Sequence, residues 1–168
     1  MISDSSIKWI ENLADQEGLI LRGQLPSLDI NRTREEVLSV ATAVFIRELK
    51  TQWITLSKLF NARMKEPSLS IVWGEIPDRA YSFYLERNGV RLIVSSSCSA
   101  AIQIKCEKLL PESPARTSTL FSGVLEARFS GFEEVHWYFL EKIITSEQLA
   151  RYYLTEFLQS SRSPEKLT

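Results

Sequence analysis

The sequence predicts an α+β protein in which an antiparallel sheet of four to five strands packs against a long central helix, with N-terminal and C-terminal helices. Apolar residues recur at steps of three and four between Leu38 and Phe60, which predicts the long helix. Two alternating runs flank an Asn-Gly pair, which predicts a hairpin. The 168 residues, 44% hydrophobic and 24% charged, suit one globular domain over residues 1–160 and a flexible tail at 161–168.

Two helical patterns fill the first third of the chain. Residues 4–17 place apolar side chains on one face, and Gly18 is positioned as the end of this helix. Thr33 and Glu36 form a capping box, which opens the most helix-like stretch of the sequence. The apolar stripe of that stretch consists of Leu38, Ala41 or Thr42, Phe45, Leu49, Trp53, Leu56 and Phe60.

The first half of the long helix is apolar nearly all round, because Val37, Val40 and Val44 lie on its other side. This pattern predicts a helix at the centre of the molecule. Its many β-branched residues also suit a strand, so a strand at residues 38–46 is an alternative to one helix over residues 33–64.

The clearest signal for the sheet is the hairpin around Asn88 and Gly89, which both tolerate the positive φ angles of a two-residue turn. Closing the turn opposes three pairs, which are Arg87 with Val90, Glu86 with Arg91 and Leu85 with Leu92. The apolar face then carries Tyr81, Phe83, Leu85, Leu92 and Val94. The wetter face carries Ser82, Tyr84, Glu86, Arg91 and Ser95.

Three further strands are predicted, one before this hairpin and two after it. One precedes it, because Leu69, Ile71 and Trp73 alternate with other residues. The others span residues 101–106 and residues 119–129. The segment between these two strands, EKLLPESPARTS, contains two prolines and predicts the longest loop of the chain.

The C-terminal part of the chain predicts one ambiguous element and one clear helix. Residues 132–143 fit a helix that begins at Ser130, with Glu133 completing a capping box. They also fit a strand. After this segment, Thr145 and Gln148 form a capping box that begins the final helix. As a strand, the ambiguous segment would place Val135, Trp137 and Phe139 on one face and His136, Tyr138 and Leu140 on the other.

Composition argues against several classes of function. Twenty basic and 21 acidic residues give a net charge of −1, so the usual electrostatic attraction to phosphates is missing. No apolar run reaches the ~20 residues of a membrane span, and the N-terminus does not resemble a secretory signal, so a cytoplasmic location is expected. Cys98 and Cys106 fit such a reducing location as small buried residues.

The common catalytic motifs are missing from the sequence. It contains no phosphate-binding loop, dinucleotide-binding turn, paired-cysteine zinc motif or nucleophile elbow. The single histidine, His136, follows Glu133 at the spacing of a Glu-x-x-His half-site, but a di-iron centre needs two such motifs. We therefore expect no metal and no cofactor, and we interpret His136 as a residue at the border of the core.

These observations favour a non-enzymatic protein-interaction module, an adaptor, regulator or assembly chaperone, which binds another protein through an aromatic sheet face or the C-terminal helix. A homodimer through a sheet edge or that helix fits the same hypothesis. The alternative is an enzyme or small-ligand protein with a pocket around His136. Single-stranded nucleic-acid binding is the third hypothesis, and the charge balance argues against it. The candidate binding residues are Tyr84, Arg91, Trp73, His136, Trp137 and Tyr152.

Overall fold

The computed structural model describes residues 3–22, 34–130 and 134–162, and these residues form three α-helices and one seven-stranded antiparallel sheet. The α+β class is therefore confirmed, but the sheet has more strands than the four to five predicted. The helices are α1 (Asp4–Leu21), α2 (Arg34–Arg63) and α3 (Ser146–Ser160). The strands are β1 (Val72–Glu75), β2 (Phe83–Arg87), β3 (Val90–Cys98), β4 (Ala101–Leu110), β5 (Ser113–Phe129), β6 (Val135–Phe139) and β7 (Lys142–Ile143).

The backbone forms two compact units, Met1–Arg34 and Glu35–Thr168, and the single domain expected from the sequence stays a prediction. Helix α1 belongs to the first unit and runs past Gly18, so the prediction that this glycine ends the helix is wrong. A glycine costs a helix interior about 1 kcal/mol, which weakens a helix without ending it. The Arg22 N–H still donates to the Gly18 carbonyl at 3.3 Å.

The sheet of the second unit is a simple meander, because its seven strands pair in chain order and every neighbouring pair is antiparallel. Helices α2 and α3 both cover one face of this sheet, which we call the inner face. Trp53 of α2 packs edge-on against Phe83, and Tyr153 of α3 packs against Phe121. The Trp53 indole also donates to the carbonyl of Ala150 at 3.1 Å, which joins the two helices. The predicted segregation of helices to one side is thus observed within this unit.

Helix α2 is one continuous helix, so the alternative of a strand at residues 38–46 is wrong. The predicted central position is also wrong, because Val40 and Val44 are exposed and the helix contacts the sheet along one side only. Thr33 of the predicted capping box lies outside the described residues. The buried side of the helix carries Thr42, Phe45, Ile46, Leu49, Trp53 and Ser57.

The predicted β2–β3 hairpin is confirmed in register. Arg87 opposes Val90 across the turn, and Asn88 and Gly89 adopt φ angles of 50° and 72°. Glycine and asparagine reach this left-handed region at low cost, which is why the two-residue turn forms here. The buried residues of the two strands that face the helices are Phe83, Leu85, Arg87, Val90, Leu92 and Val94.

The residues just before β2 differ from the prediction. Tyr81 was expected on the apolar face, but it is exposed, has a φ of 62° and precedes the strand. Ser82 was expected on the wetter face, but it is buried. Its backbone closes a compact loop, because its carbonyl accepts from the Ile76 N–H and its own N–H donates to the Arg79 carbonyl.

The predicted loop between β4 and β5 is wrong, because these strands form a long hairpin. The pair Leu110 and Ser113 encloses a two-residue turn that Pro111 begins. A proline suits the first corner of a turn, since its ring fixes φ near −65°. Pro114 lies in an irregular stretch of β5 between the partners of Leu109 and Leu110, where a missing N–H costs no ladder bond.

The strand alternative is correct for residues 135–139, but Leu140, which it placed on a strand face, lies in a turn. Glu133 of the helical alternative lies outside the described residues. Strands β6 and β7 are joined by a turn at Leu140 and Glu141, whose φ angles are 49° and 62°. The strand predicted around Leu69 begins later than expected, at Val72, because Leu69 ends a short 3₁₀ helix.

The capping box of α3 is confirmed. The Thr145 hydroxyl accepts from the Gln148 N–H at 3.2 Å, and the Gln148 side chain accepts from the Thr145 N–H at 3.1 Å. Ser161, which the prediction assigned to the tail, is buried and accepts a hydrogen bond from Arg87. Residues 163–168 lie outside the described residues.

Candidate functional site

Tyr84 and Arg91 lie side by side on the outer face of the sheet, the face opposite α2 and α3. The Arg91 guanidinium lies 4.5 Å from the centre of the Tyr84 ring. It also donates twice to one carboxylate oxygen of Glu86, at 3.0 and 2.7 Å. The sequence placed these three residues together through the hairpin register, and the structure confirms that they meet.

A second group of the same composition lies near the other end of the outer face. The Arg128 guanidinium lies 4.8 Å from the Tyr138 ring centre and donates to Glu126 and Glu141. Hydrogen bonds from Arg128 lower the pKa of Glu141, and its bonds to Glu141 and Glu126 raise the pKa of Arg128. Both arginines of the two groups are therefore neutralised by carboxylates.

This pairing of charges matters for the nucleic-acid hypothesis. A phosphate-binding face needs cations that are free to contact phosphate, and aromatic rings on which bases can stack. Tyr84 and Tyr138 could supply rings, but Arg91 and Arg128 are already occupied by glutamates. Lys105 of the same face is paired with Glu107. The described outer face thus offers stacking surfaces without matching free charge.

His136 lies on the outer face of β6, opposite Arg128 in the register. Its Nε2 atom is 3.8 Å from a carboxylate oxygen of Glu134, and its side chain is about one third exposed. Within residues 3–22, 34–130 and 134–162, no group of three or more His, Cys, Asp or Glu residues is placed to hold a metal ion. The two grooves described below do not include His136.

The remaining three candidate residues have different environments. Trp73 lies on the edge strand β1, is 43% exposed, and has the Lys50 ammonium 5.2 Å from its ring centre. Tyr152 of α3 is 49% exposed beside Phe139. Trp137 is only 7% exposed, because it points inward from β6 onto Phe45, 4.8 Å between ring centres. Trp137 is therefore a core residue rather than a surface for a partner.

The larger of the two grooves lies between the exposed side of α2 and the loop that connects β1 to β2. We call it the α2 groove, and its volume is about 650 Å³. Its apolar residues include Val40 and Val44 of the helix and Tyr81 of the loop, all of them exposed. The apolar pattern of α2 predicts both valines as core residues, but the structure leaves them exposed. The sequence therefore indicated the apolar surface of this groove. The expectation that another element covers that surface was wrong.

The rim of the α2 groove is mainly positive. Arg47, Lys50 and Arg79 line it, and Glu75, which also lines it, is paired with Lys50. In the described parts of the chain, neither Arg47 nor Arg79 has a carboxylate partner in ion-pair contact. Asp78 lies in the same loop but does not line the groove. Two guanidinium groups therefore flank an apolar surface with their charge unmatched.

The loop wall of the α2 groove holds a strained aromatic residue. Tyr81 is 62% exposed at a φ of 62°, a region of the Ramachandran plot that bulky side chains rarely occupy. Such backbone strain concentrates at ligand-binding segments, where the surrounding structure enforces it. Here the loop backbone bonds of Ser82 to Ile76 and Arg79 hold the segment in place.

A smaller groove of about 390 Å³ separates α2 from α3. Polar and short side chains form most of it, including Thr51, Thr55 and Ala150. Glu147 and Arg151 on its α3 side pair with each other at 2.6 Å, so they leave no unmatched charge there. The α2 groove is the stronger candidate, because it combines apolar surface with free cations.

The two cysteines, which were both predicted to be buried, have opposite environments. Cys106 is fully buried on the inner face, and burial together with the nearby Glu107 carboxylate raises its pKa to about 12. Cys98 is exposed at the end of β3, so the prediction is wrong for this residue. Both are free thiols.

We expect a thiol-specific reagent at neutral pH to modify Cys98 rapidly and Cys106 only when the chain unfolds. Reagents react with the thiolate, and a buried thiol with a raised pKa supplies almost none. Labelling of the native protein should stop at one equivalent of reagent per chain. Adding denaturant should expose Cys106 and allow a second equivalent to react. Cys98→Ser is the control and should remove the rapid phase; rapid modification of Cys106 in that variant would contradict the described burial.

No known family model, curated protein or solved structure matches this chain. None of the helices within residues 3–22, 34–130 and 134–162 combines the length and the apolar composition of a membrane span.

Proposed function

We propose that this chain is a non-enzymatic protein-interaction module of the adaptor, regulator or assembly-chaperone type. Its partner is another protein, and we propose a cytoplasmic location, where two free cysteines remain reduced. Among the surfaces described above, the α2 groove is the best supported binding site. The observation that carries this proposal is its apolar surface flanked by two unmatched guanidinium groups.

The apolar part of the groove supports a segment with at least two apolar side chains. Val40 and Val44 are one helical turn apart on α2, and Tyr81 faces them from the loop. A soluble monomer rarely keeps clustered apolar side chains exposed unless they bind a partner. Aromatic residues such as tyrosine also contribute strongly to protein interfaces, because they bury much area at low entropic cost.

The charged part of the groove supports acidic residues beside those apolar side chains. Arg47 and Arg79 can each form a two-point contact with a carboxylate, which gives direction as well as affinity. Rim charges mainly raise the association rate and make binding sensitive to salt. We therefore propose that the bound segment carries apolar residues next to aspartate or glutamate.

A matched pair of substitutions tests the apolar surface. We expect Val44→Asp to abolish capture of the partner from native lysate, because it places a charge on the groove surface. Leu59→Asp is the control, since Leu59 is exposed on the same helix outside the groove. Captured proteins are identified by mass spectrometry after nuclease treatment, and circular dichroism verifies that both variants fold. Equal capture by the two variants would contradict the groove as the binding site.

A second pair tests the charged rim once a partner segment is known. We expect Arg47→Glu to weaken binding about 10- to 100-fold, because it replaces attraction to an acidic segment by repulsion. Lys58→Glu makes the same charge change on the exposed side of α2 away from the groove. Fluorescence anisotropy at two salt concentrations gives both dissociation constants. If Lys58→Glu weakens binding as much, general charge rather than the rim governs affinity.

A second copy of this chain is the other proposed binding partner, and it would form a homodimer. Light scattering after size-exclusion chromatography distinguishes the two cases, because self-association would appear without any added protein. A dimer that Val44→Asp converts to a monomer would identify a second copy as the occupant of the α2 groove. A monomer that still captures a partner would favour the acidic segment.

A further inference from the structure

We propose that the free edge of β5 binds an extended segment of another protein as an added strand. This second site is separate from the α2 groove and does not depend on it. Strand β5 pairs with β4 along most of its length, from Ser113 to Glu126. On its other side β6 pairs only with the last four residues, Glu126–Phe129. The described chain leaves the rest of that edge without a neighbouring strand.

The direction of one backbone hydrogen bond shows which N–H and carbonyl groups of β5 point away from β4, towards the unpaired edge. The Ala127 N–H donates to the Ala100 carbonyl at 2.8 Å, so Ala127 points its backbone towards the β4 side. Backbone direction alternates along an antiparallel strand. Gly123 therefore also faces β4, while the N–H and carbonyl groups of Ser122 and Val124 face the open side. An added strand can use all four of these groups.

The residues along this edge lack most of the features that protect edge strands. Natural edges usually carry charges or prolines that discourage pairing. Residues 117–125, TSTLFSGVL, contain neither. One protective feature is present, a bulge at Leu120, where the partners of Cys106 and Glu107 are separated by an extra residue. The bulge at one end, and Phe139 of β6 opposite Leu125 at the other, limit regular pairing to a short segment, Phe121–Val124.

The side chains beside this edge favour an apolar segment. Val124 is 50% exposed on the outer face, and Leu120, four residues earlier in β5, is 42% exposed. On the inner side the Phe139 ring lies beside Gly123, and the half-exposed Tyr152 of α3 has its ring 5.8 Å from that of Phe139. Alternate side chains of an added strand would contact these residues on both faces, as in other cases of strand addition. No charged residue of β5 lies within the pairing segment.

A second copy of this chain fits the edge poorly. Pairing two copies antiparallel about Gly123 would bring Leu120 of the second copy opposite Glu126. That position is held by Tyr138 of β6. The long β5 of a second copy would therefore collide with β6, whereas a short peptide would end before it. The occupant we propose is an extended, uncharged segment of about four residues, rich in β-branched side chains.

The test uses a synthetic peptide of alternating threonine and valine, and amide hydrogen exchange of the full chain measured by nuclear magnetic resonance. Without peptide, we expect the Ser122 and Val124 amides to exchange faster than those of Phe121, Gly123 and Leu125. At about 1 mM peptide, we expect exchange at Ser122 and Val124 to slow at least tenfold. This alternating pattern is specific to strand pairing, because contact of side chains alone would not select every second amide.

Two controls make the test decisive. A peptide with the same sequence but N-methylated at every residue cannot pair along either of its edges, because both lack N–H groups and carry methyl groups, and we expect it to leave the exchange rates unchanged. Val44→Asp, which disrupts the α2 groove, should leave the effect of the unmodified peptide intact. The proposal is overturned if Ser122 and Val124 are unaffected by the unmodified peptide, or if the N-methylated peptide protects them equally.

Discussion

Arg87→Met is expected to lower the free energy of unfolding by about 2 to 4 kcal/mol, a large share of the stability of a domain of this size. Arg87 is buried on the inner face at the end of β2. It donates to the Leu69 carbonyl at 2.7 Å, to the Leu158 carbonyl at 3.3 Å and to the Ser161 hydroxyl at 3.0 Å. Methionine retains the length of the side chain but leaves these acceptors without their donor.

The guanidinium of Arg87 connects three parts of the second unit, namely β2, the 3₁₀ helix before β1 and the last turn of α3. Burial, together with the nearby charge of Arg162, lowers the pKa of Arg87. Arg91→Met is the matched control, because Arg91 lies on the same hairpin but forms a partly exposed ion pair with Glu86. We expect it to cost no more than about 1 kcal/mol. Equal losses for the two variants in urea denaturation would refute the structural role of Arg87.

Trp53→Ala is expected to destabilise the protein by a similar amount, about 3 to 5 kcal/mol. Trp53 is fully buried between α2, α3 and the sheet, with its ring 5.6 Å from that of Phe83. Alanine would leave a large cavity and remove the hydrogen bond to the Ala150 carbonyl. Urea denaturation followed by circular dichroism measures the loss independently of tryptophan fluorescence.

Two comparison variants separate the contributions of Trp53. Trp53→Phe retains much of the packing and removes only the indole N–H, so we expect a smaller loss of about 1 to 2 kcal/mol. Trp73→Ala removes an exposed tryptophan from the edge strand, and we expect less than about 1 kcal/mol. If Trp53→Ala is no more destabilising than Trp73→Ala, Trp53 is not at the centre of the core.

The parts of the fold that local rules determine were predicted most accurately. Asn88 and Gly89 determine a turn type, and a turn type determines the register of the two strands beside it. The capping box of Thr145 and Gln148 likewise depends on neighbours three residues apart. Strand β5 was predicted too short, because prolines usually mark loops and only pairing shows that Pro111 begins a turn and Pro114 lies in an irregular stretch.

The candidate site depended on long-range packing and was predicted less well. Val40 and Val44 have an apolar pattern, but periodicity cannot show whether another element covers them. Arg87 was overlooked, although the predicted register already placed it on the same face as Leu85. A charged residue on an apolar face is a signal for a buried hydrogen-bond network, and it could have identified Arg87 from the sequence. Tyr84 and Arg91 were correctly brought together, because both belong to one hairpin.

The order of elements along the chain also has a consequence for protein synthesis. Helix α2 precedes all seven strands and α3 follows them. The two helices that cover the inner face are therefore synthesised at different times. The hairpins of the meander can pair as they emerge, because each strand neighbours the one made just before it. Until α3 emerges, Phe121 and the rest of the surface that Tyr153 covers remain exposed to solvent. We therefore expect nascent chains from which only residues before 146 have emerged to bind ribosome-associated chaperones, and chains from which α3 has emerged to be released from them.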